Sequence, residues 1–369
     1  MIVIHVGLKK CGSGSIQTFL HTNAARLKEI SVRYPEIGRS GKAHHNLARE
    51  IRQLGEFDRK RGTLSECAQF WKTCRRRVMV LSSEIFEDTE TCEAIELKRK
   101  LLEARGSEEF RIYVVVRNLV DLMPSSYAQK IKRGFHSYDF DTFFAARIKM
   151  PRVDFFDTIN RWADAFGWES MHVRILDRAH LLNGDLLDDF LAVCGVEPDP
   201  NRQDLVRTGI RNAAPGWRVL EATRGLVTRL PTGRLRKHPL PAEVTSRIQE
   251  REFGRRLVKY AEAAGEARGW NSDRGRYLTW EQARYCHKIY RGALVRLNEK
   301  LPQPLPVPDK LEKRSFGARE FLPDASHIRA RELSAFYDDV WELLQKSDSA
   351  PGEKNKERRL GTADQYQYA

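Results

Sequence analysis

Three groups of residues have the types and spacing to do chemistry. The first is the loop Gly7-Leu8-Lys9-Lys10-Cys11-Gly12-Ser13-Gly14-Ser15. Its glycines let a backbone approach a phosphate with no Cβ in the way. Converging N–H groups and the positive end of a following helix would then hold the anion. The second is Arg117 with Ser125 eight residues on; a guanidinium forks onto phosphate oxygens and a hydroxyl donates one more bond. The third is a set of candidate bases: Glu84 after Ser82-Ser83, and the adjacent pair His44-His45. A histidine titrates near neutral pH and suits proton transfer. The chemistry these groups would support is anion binding at two places, with a proton acceptor close by.

The elements that must position them follow from hydropathy. Ile2 to Val6 is β-branched and unbroken, as expected of a strand buried on both faces of a parallel sheet. A helix is expected from Ser13 to Glu29, and a short strand at Val32-Arg33-Tyr34-Pro35. His44 and His45 then fall in a polar loop, with helices over 47–54 and 64–76. Further strands are expected at 78–81, 110–116 and 171–176, separated by helices over 94–104 and 122–133. An aromatic-rich helical stretch follows the latter (Phe140, Phe143, Phe144, Phe155, Phe156, Trp162, Phe166, Trp168) and reads as core rather than as a binding surface. A helix over 186–191 closes at Gly195. Strands alternating with helices imply an α/β fold, three-layered and P-loop-like, with a mostly parallel central sheet. Ligands bind such sheets at the strands' C-terminal ends, and Lys10, Glu84 and Arg117 each lie just past one.

Beyond Asp199 the strand signal fades into an arginine-rich, helical C-terminal region broken near Pro231, Pro239 and Pro302 to Pro308, ending in an amphipathic helix over 328–344. The organisation expected is a nucleotide-binding core over 1–198, a helical extension packed on it over 199–346, and a disordered tail over 347–369.

The 369 residues suffice for a large core, and 41% hydrophobic content is ordinary for a folded domain. No apolar run approaches membrane-spanning length and the first strand begins at residue 2, so a cytoplasmic protein is expected. Six cysteines without CxxC pairs indicate neither a zinc site nor a disulfide framework. A net charge of +14 would attract any polyanion, but no nucleic-acid recognition module accompanies it.

The loop is not that of a nucleoside triphosphatase, which needs Gly-Lys-Ser/Thr at its end; here Ser13 follows Gly12, and the lysine, Lys10, comes before the glycine. Lys-x-Gly-Ser after a first strand resembles the 5′-phosphosulfate loop of sulfotransferases that use 3′-phosphoadenosine 5′-phosphosulfate (PAPS). Arg117 and Ser125 resemble the family's 3′-phosphate element, and Ser82-Ser83-Glu84 the end of its third strand. The resemblance covers residues 1–195 and is to bacterial members. Two positions depart from it: Cys11 and Gly14 stand where hydroxyl residues are usual. The Arg-Lys-Gly-x-x-Gly segment of the animal enzymes is absent, leaving Arg211-Asn212 as a candidate for the remaining nucleotide contacts.

The resemblance implies PAPS as co-substrate, no metal, and sulfuryl transfer to a hydroxyl or amine of a small-molecule or glycan acceptor. It implies that Lys10 stabilises or protonates the leaving 5′-phosphate oxygen, with Cys11, Gly12, Ser13, Gly14 and Ser15 around that phosphate. Arg117 and Ser125 would hold the 3′-phosphate, and the base is one of Glu84, His45 and His44. Lys9 reads as a solvated loop lysine. Two other readings stay open: an ATP-dependent phosphotransferase on the same fold, and a non-catalytic polyanion or nucleic-acid binder. No oligomeric state is implied.

Overall fold

The computed structural model describes residues 1–74, 77–103, 106, 108–133, 138–150, 153–197, 205–207, 215–229, 247–273, 275–312 and 323–349. Arg211-Asn212, the expected breaks at Pro231 and Pro239, and the tail from 350 onward lie outside the described residues.

The five strands expected from hydropathy form one all-parallel sheet in the order β2-β3-β1-β4-β5. They are β1 (Ile2–Val6), β2 (Val32–Arg33), β3 (Val78–Ser83), β4 (Phe110–Val116) and β5 (Met171–Ile175). Every residue of β1 is buried, the polar His5 included, as a run apolar at its other four positions leads one to expect. Alternate side chains of β4 meet different layers. Phe110 packs on Phe166 at 5.1 Å between ring centres, and Tyr113 packs on Phe190 at 5.2 Å. From β1 the chain runs to β2 and β3 on one side of it, then crosses to β4 and β5 on the other. That reversal opens a crevice at the C-terminal ends of β1 and β4. The loops carrying Lys10 and Arg117 leave from those two ends.

The first helix departs from expectation. It divides into α1 (Ser13–Thr22) and α2 (Ala24–Glu29) at Asn23. The Asn23 amide donates to the carbonyls of Phe19 and Val206 and accepts from Val206 N–H. A side chain serving the backbone in this way competes with helix continuation. Helix α3 (His45–Ile51) begins earlier than expected, so that His45 is helical rather than in a loop. Helices α4 (Leu64–Thr73) and α5 (Thr91–Glu103) follow. Helix α6 (Leu119–Lys132) also starts early, because the Asn118 side chain caps it by accepting Val120 N–H at 3.0 Å.

Helices α7 (Phe140–Arg147), α8 (Phe155–Phe166) and α9 (Leu186–Val193) complete the first part. Their aromatic residues are mainly core: Phe140, Phe143, Phe144, Phe155, Trp162 and Phe166 are buried, while Phe156 and Trp168 are partly buried against the core. Trp162 caps its packing with an indole N–H donated to Phe86 O at 3.2 Å.

The C-terminal helices are α10 (Trp217–Arg229), α11 (Arg247–Ala267), α12 (Trp280–Asn298) and α13 (Ala330–Ser349), the last running three residues into the stretch expected as tail. Helices α10 and α12 pack on α6, and α12 also on α8. Tyr127 of α6 donates its hydroxyl to the buried Glu221 of α10 at 3.1 Å, and Lys132 pairs with Glu262 of α11 at 3.0 Å. Helix α6 is therefore a shared wall between the sheet and these helices.

Candidate functional site

The site is built on the loop between β1 and α1. Gly7 ends the strand under a tight constraint: a Cβ there would lie 2.5 Å from Ser13 Oγ and 3.4 Å from Glu84 Cγ. The Ser13 hydroxyl is buried and donates to Leu8 O at 3.0 Å, so it braces the loop from within. Gly12 enters α1 at φ 89°, and a Cβ would meet Leu186 Cδ2 at 2.4 Å. No side chain caps α1. Ser15 N–H already donates to Gly12 O at 2.9 Å, so the N–H groups of Ser13 and Gly14 are the ones that neither a side-chain cap nor a helical carbonyl serves. The Gly14 Cα has open space around it. These features fit a phosphate held by backbone, with little help from hydroxyls. Ser15 is exposed. Cys11 is buried, its thiol directed at Lys9 O at 3.6 Å, and burial pushes its pKa up rather than down. It is a packed spacer, and only its backbone can face a ligand.

Lys10 is the one loop residue besides glycine with a left-handed backbone, at φ 67°. For a residue with a Cβ that conformation costs about 1–2 kcal/mol. It is held by Arg117, whose guanidinium donates to Lys10 O at 3.3 Å. This contact ties the end of β4 to the loop after β1, across the crevice. Burial lowers the Lys10 pKa; Glu84 opposes the shift, and Arg117, Lys132 and Arg133 add to it. Ser125 lies at the end of the second turn of α6, half-buried.

Glu84 opens a 3-10 turn (Glu84–Asp88) straight after β3. Burial raises its pKa and Glu87 adds to the effect, while Lys9, Lys10 and Arg133 restrain it. A half-buried carboxylate among cations, with a raised pKa, has the character of a proton acceptor working nearer neutrality than a surface glutamate. His45 Nδ1 lies 2.8 Å from Ser83 Oγ, the hydroxyl that also accepts Ile85 N–H at 3.1 Å. His45 is therefore anchored one residue from Glu84, on the first turn of α3.

His44 differs. It is completely buried, its Nε2 donates to Pro35 O at 3.0 Å, and its Nδ1 accepts Ser82 N–H at 3.1 Å. Both nitrogens serve backbone groups, and burial lowers the pKa to about 3. Against the expectation of His44 as a candidate base, both ring nitrogens are already committed, and its place is structural: it fastens the loop before α3 to β3. Lys9 also departs from its sequence reading. It is mostly buried, and its Nζ pairs with Asp88 at 3.2 Å and Glu87 at 3.7 Å.

Several residues near the site escaped sequence reading. Lys132 and Arg133 at the end of α6 act electrostatically on Lys10. Cations in a helix's last turn are ordinarily read as complementing the helix dipole, and nothing in the sequence says that this end faces the crevice. Tyr290 of α12 is buried and packs on Phe155 of α8 at 5.7 Å between ring centres; burial raises its pKa, with smaller electrostatic contributions from Cys11, Asp177 and Asp121. Among the described residues, no group of three or more His, Cys, Asp or Glu could hold a metal ion. No described helix is long and apolar enough to cross a membrane.

No known family model and no curated protein matches the chain. A solved structure does: the crystal structure of a sulfotransferase from Alicyclobacillus acidocaldarius, at TM-score 0.34 and 18% identity, over 55% of this chain and 87% of that one. A structural neighbour of this chain is thus a sulfotransferase. At so low a TM-score the likeness adds nothing to the chemistry of the site, which rests on the residues themselves.

Proposed function

We propose that the protein is a sulfotransferase that moves the sulfuryl group of PAPS to a hydroxyl, or an amine, of an acceptor of carbohydrate type. The observation that carries the reading is the Arg117–Lys10 contact across the crevice: it joins the two sequence elements that resemble the family's 3′-phosphate and 5′-phosphosulfate sites. PAPS would supply an activated sulfuryl group for in-line displacement. Catalysis of such a transfer is mainly positioning and charge stabilisation.

In this reading the backbone from Gly12 to Ser15 holds the 5′-phosphate at the uncapped start of α1. Lys10 adds positive charge at the leaving oxygen, and Arg117 and Ser125 hold the 3′-phosphate. Glu84 takes the acceptor's proton, and His45, anchored through Ser83, orients the acceptor or shares the proton. The acceptor class follows from the basic surface and the family resemblance. The core over 1–198 would bind the nucleotide, with the helices from α10 onward packed on it through α6 and α8.

The test is calorimetric titration with 3′-phosphoadenosine 5′-phosphate. Wild type should bind it, and Lys10→Ala and Arg117→Ala should each weaken binding by roughly ten-fold or more, the scale of a lost charge-assisted contact. Absence of binding to wild type, or variants indistinguishable from it, would remove the proposal.

A further inference from the structure

Two adjacent lysines stand in the loop, and their side chains meet different surroundings. Lys9 is drawn onto the turn after β3. Its N–H donates to Glu87 Oε2 at 3.0 Å, and its Nζ lies 3.2 Å from Asp88 Oδ2 and 3.7 Å from Glu87 Oε2. Both carboxylates are almost fully buried, and Asp88 also faces Arg52 at 3.7 Å. The next residue, Lys10, has the left-handed backbone, and its carbonyl receives Arg117. The loop is thus gripped on both sides of one peptide: main chain and ammonium of Lys9 by the β3 turn, carbonyl of Lys10 by the β4 end. A left-handed residue persists only where its surroundings over-determine it.

We infer that Lys9, through Glu87 and Asp88, is a positioning residue that sets the backbone of Lys10 and so aims the Lys10 ammonium at the 5′-phosphate. The inference rests on the sulfuryl-transfer reading. Lys9 itself touches no substrate. Its charge is matched by the two buried carboxylates, which keeps it from acting as a second cation in the cradle. The sequence puts Lys10 in the Lys-x-Gly-Ser order and leaves Lys9 as a solvated lysine; the grip gives Lys9 a fixed place.

The test compares two nucleotides by calorimetry: 3′-phosphoadenosine 5′-phosphate, and adenosine 3′-phosphate, which lacks the group that Lys10 addresses. Wild type must bind the first more tightly; if it does not, the reading beneath the inference fails, and that is seen before any variant is made. Lys9→Met should lose about ten-fold in affinity for the bisphosphate, about 1.4 kcal/mol, with adenosine 3′-phosphate affected less than two-fold. Lys9→Arg, able to reach both carboxylates, should restore most of the loss. Glu87→Gln, which keeps the shape and weakens the grip, should shift binding the same way and serves if Lys9→Met does not fold. Unchanged bisphosphate affinity in Lys9→Met would overturn the inference. An equal loss for both nucleotides would do so as well, since it marks a general structural defect. Tighter bisphosphate binding by Glu87→Gln would also overturn it, because that is what release of a directly contacting Lys9 would give.

Discussion

Lys10 and Glu84 are displaced from ordinary titration in opposite senses: burial lowers the lysine and raises the glutamate. The sign of each effect on function follows. If Glu84 is the base, as proposed, it must be ionised to accept a proton, so turnover should rise with pH through a value above that of a surface glutamate. In the proposed role Lys10 must be charged to hold the 5′-phosphate, so nucleotide affinity should fall as pH rises through a value below that of a surface lysine. A pH–rate profile narrowed from both sides is the expected result. Glu84→Gln should remove the acidic limb together with most of the activity, leaving nucleotide affinity nearly unchanged. A Glu84→Gln enzyme that retains wild-type turnover would assign the base elsewhere, with His45 the next residue to replace. At this scale the sequence was a partial guide. Residue types and spacing single out Lys10, Glu84 and Arg117 as candidates, and the Lys-x-Gly-Ser order favours Lys10 over Lys9, but nothing in the order of residues separates His44 from His45 or shows what Lys9 meets. Those distinctions come from which ring nitrogen meets which carbonyl and which ammonium meets buried carboxylates, and such contacts exist only after folding.

Among the elements, α1 carries the most specific demand. Gly12 adopts φ 89° against the Leu186 side chain, whereas Gly14 sits in the first turn of α1 with nothing within 4 Å of its would-be Cβ. Gly12→Ala should therefore cost about 1–3 kcal/mol in denaturant unfolding. Gly14→Ala should be neutral or stabilise the unliganded protein by up to about 1 kcal/mol. Equal destabilisation by both would contradict this account of the loop. Helix α6 shows where sequence reading loses its hold. A helix is expected from Leu122, but Asn118 sets the boundary earlier through one hydrogen bond accepted from Val120 N–H. Strands β1, β3 and β4 were legible because burial on both faces demands largely apolar runs, and β5 because its apolar residues alternate with His172 and Arg174. Helix ends were not, because a single capping side chain decides them.

At the scale of the whole molecule, two fully buried histidines make the fold acid-sensitive. His5 lies in β1 with Nδ1 2.8 Å from Ser82 Oγ, and burial lowers its pKa to about 3, as it does for His44. Both are neutral in the folded protein and near 6.5 when unfolded, so the unfolded state binds more protons between these values. Their contribution is complete above about pH 6.5 and is lost as pH falls toward 3, with a slope of at most about 1.4 kcal/mol per unit for each. His44→Asn should flatten the acid limb of a stability–pH curve measured by urea unfolding; an unchanged limb would refute the assignment. The α/β architecture, its parallel sheet and the crevice between β1 and β4 could be read from the alternation of strands and helices. The way α12 packs on α6 and α8, with Tyr290 against Phe155, could not, since no periodicity within a helix reports which distant element it will meet.

The central claim is that the crevice reads two phosphates, one through the β1 loop and one through Arg117. It is tested most directly by the ratio of affinities for 3′-phosphoadenosine 5′-phosphate and adenosine 5′-phosphate, measured in wild type and in Arg117→Ala. The account predicts a bisphosphate preference of about ten-fold or more in wild type, the scale of a charge-assisted contact, and its collapse toward unity in Arg117→Ala. Equal affinity for the two nucleotides in wild type, or a preference that survives loss of Arg117, would contradict it.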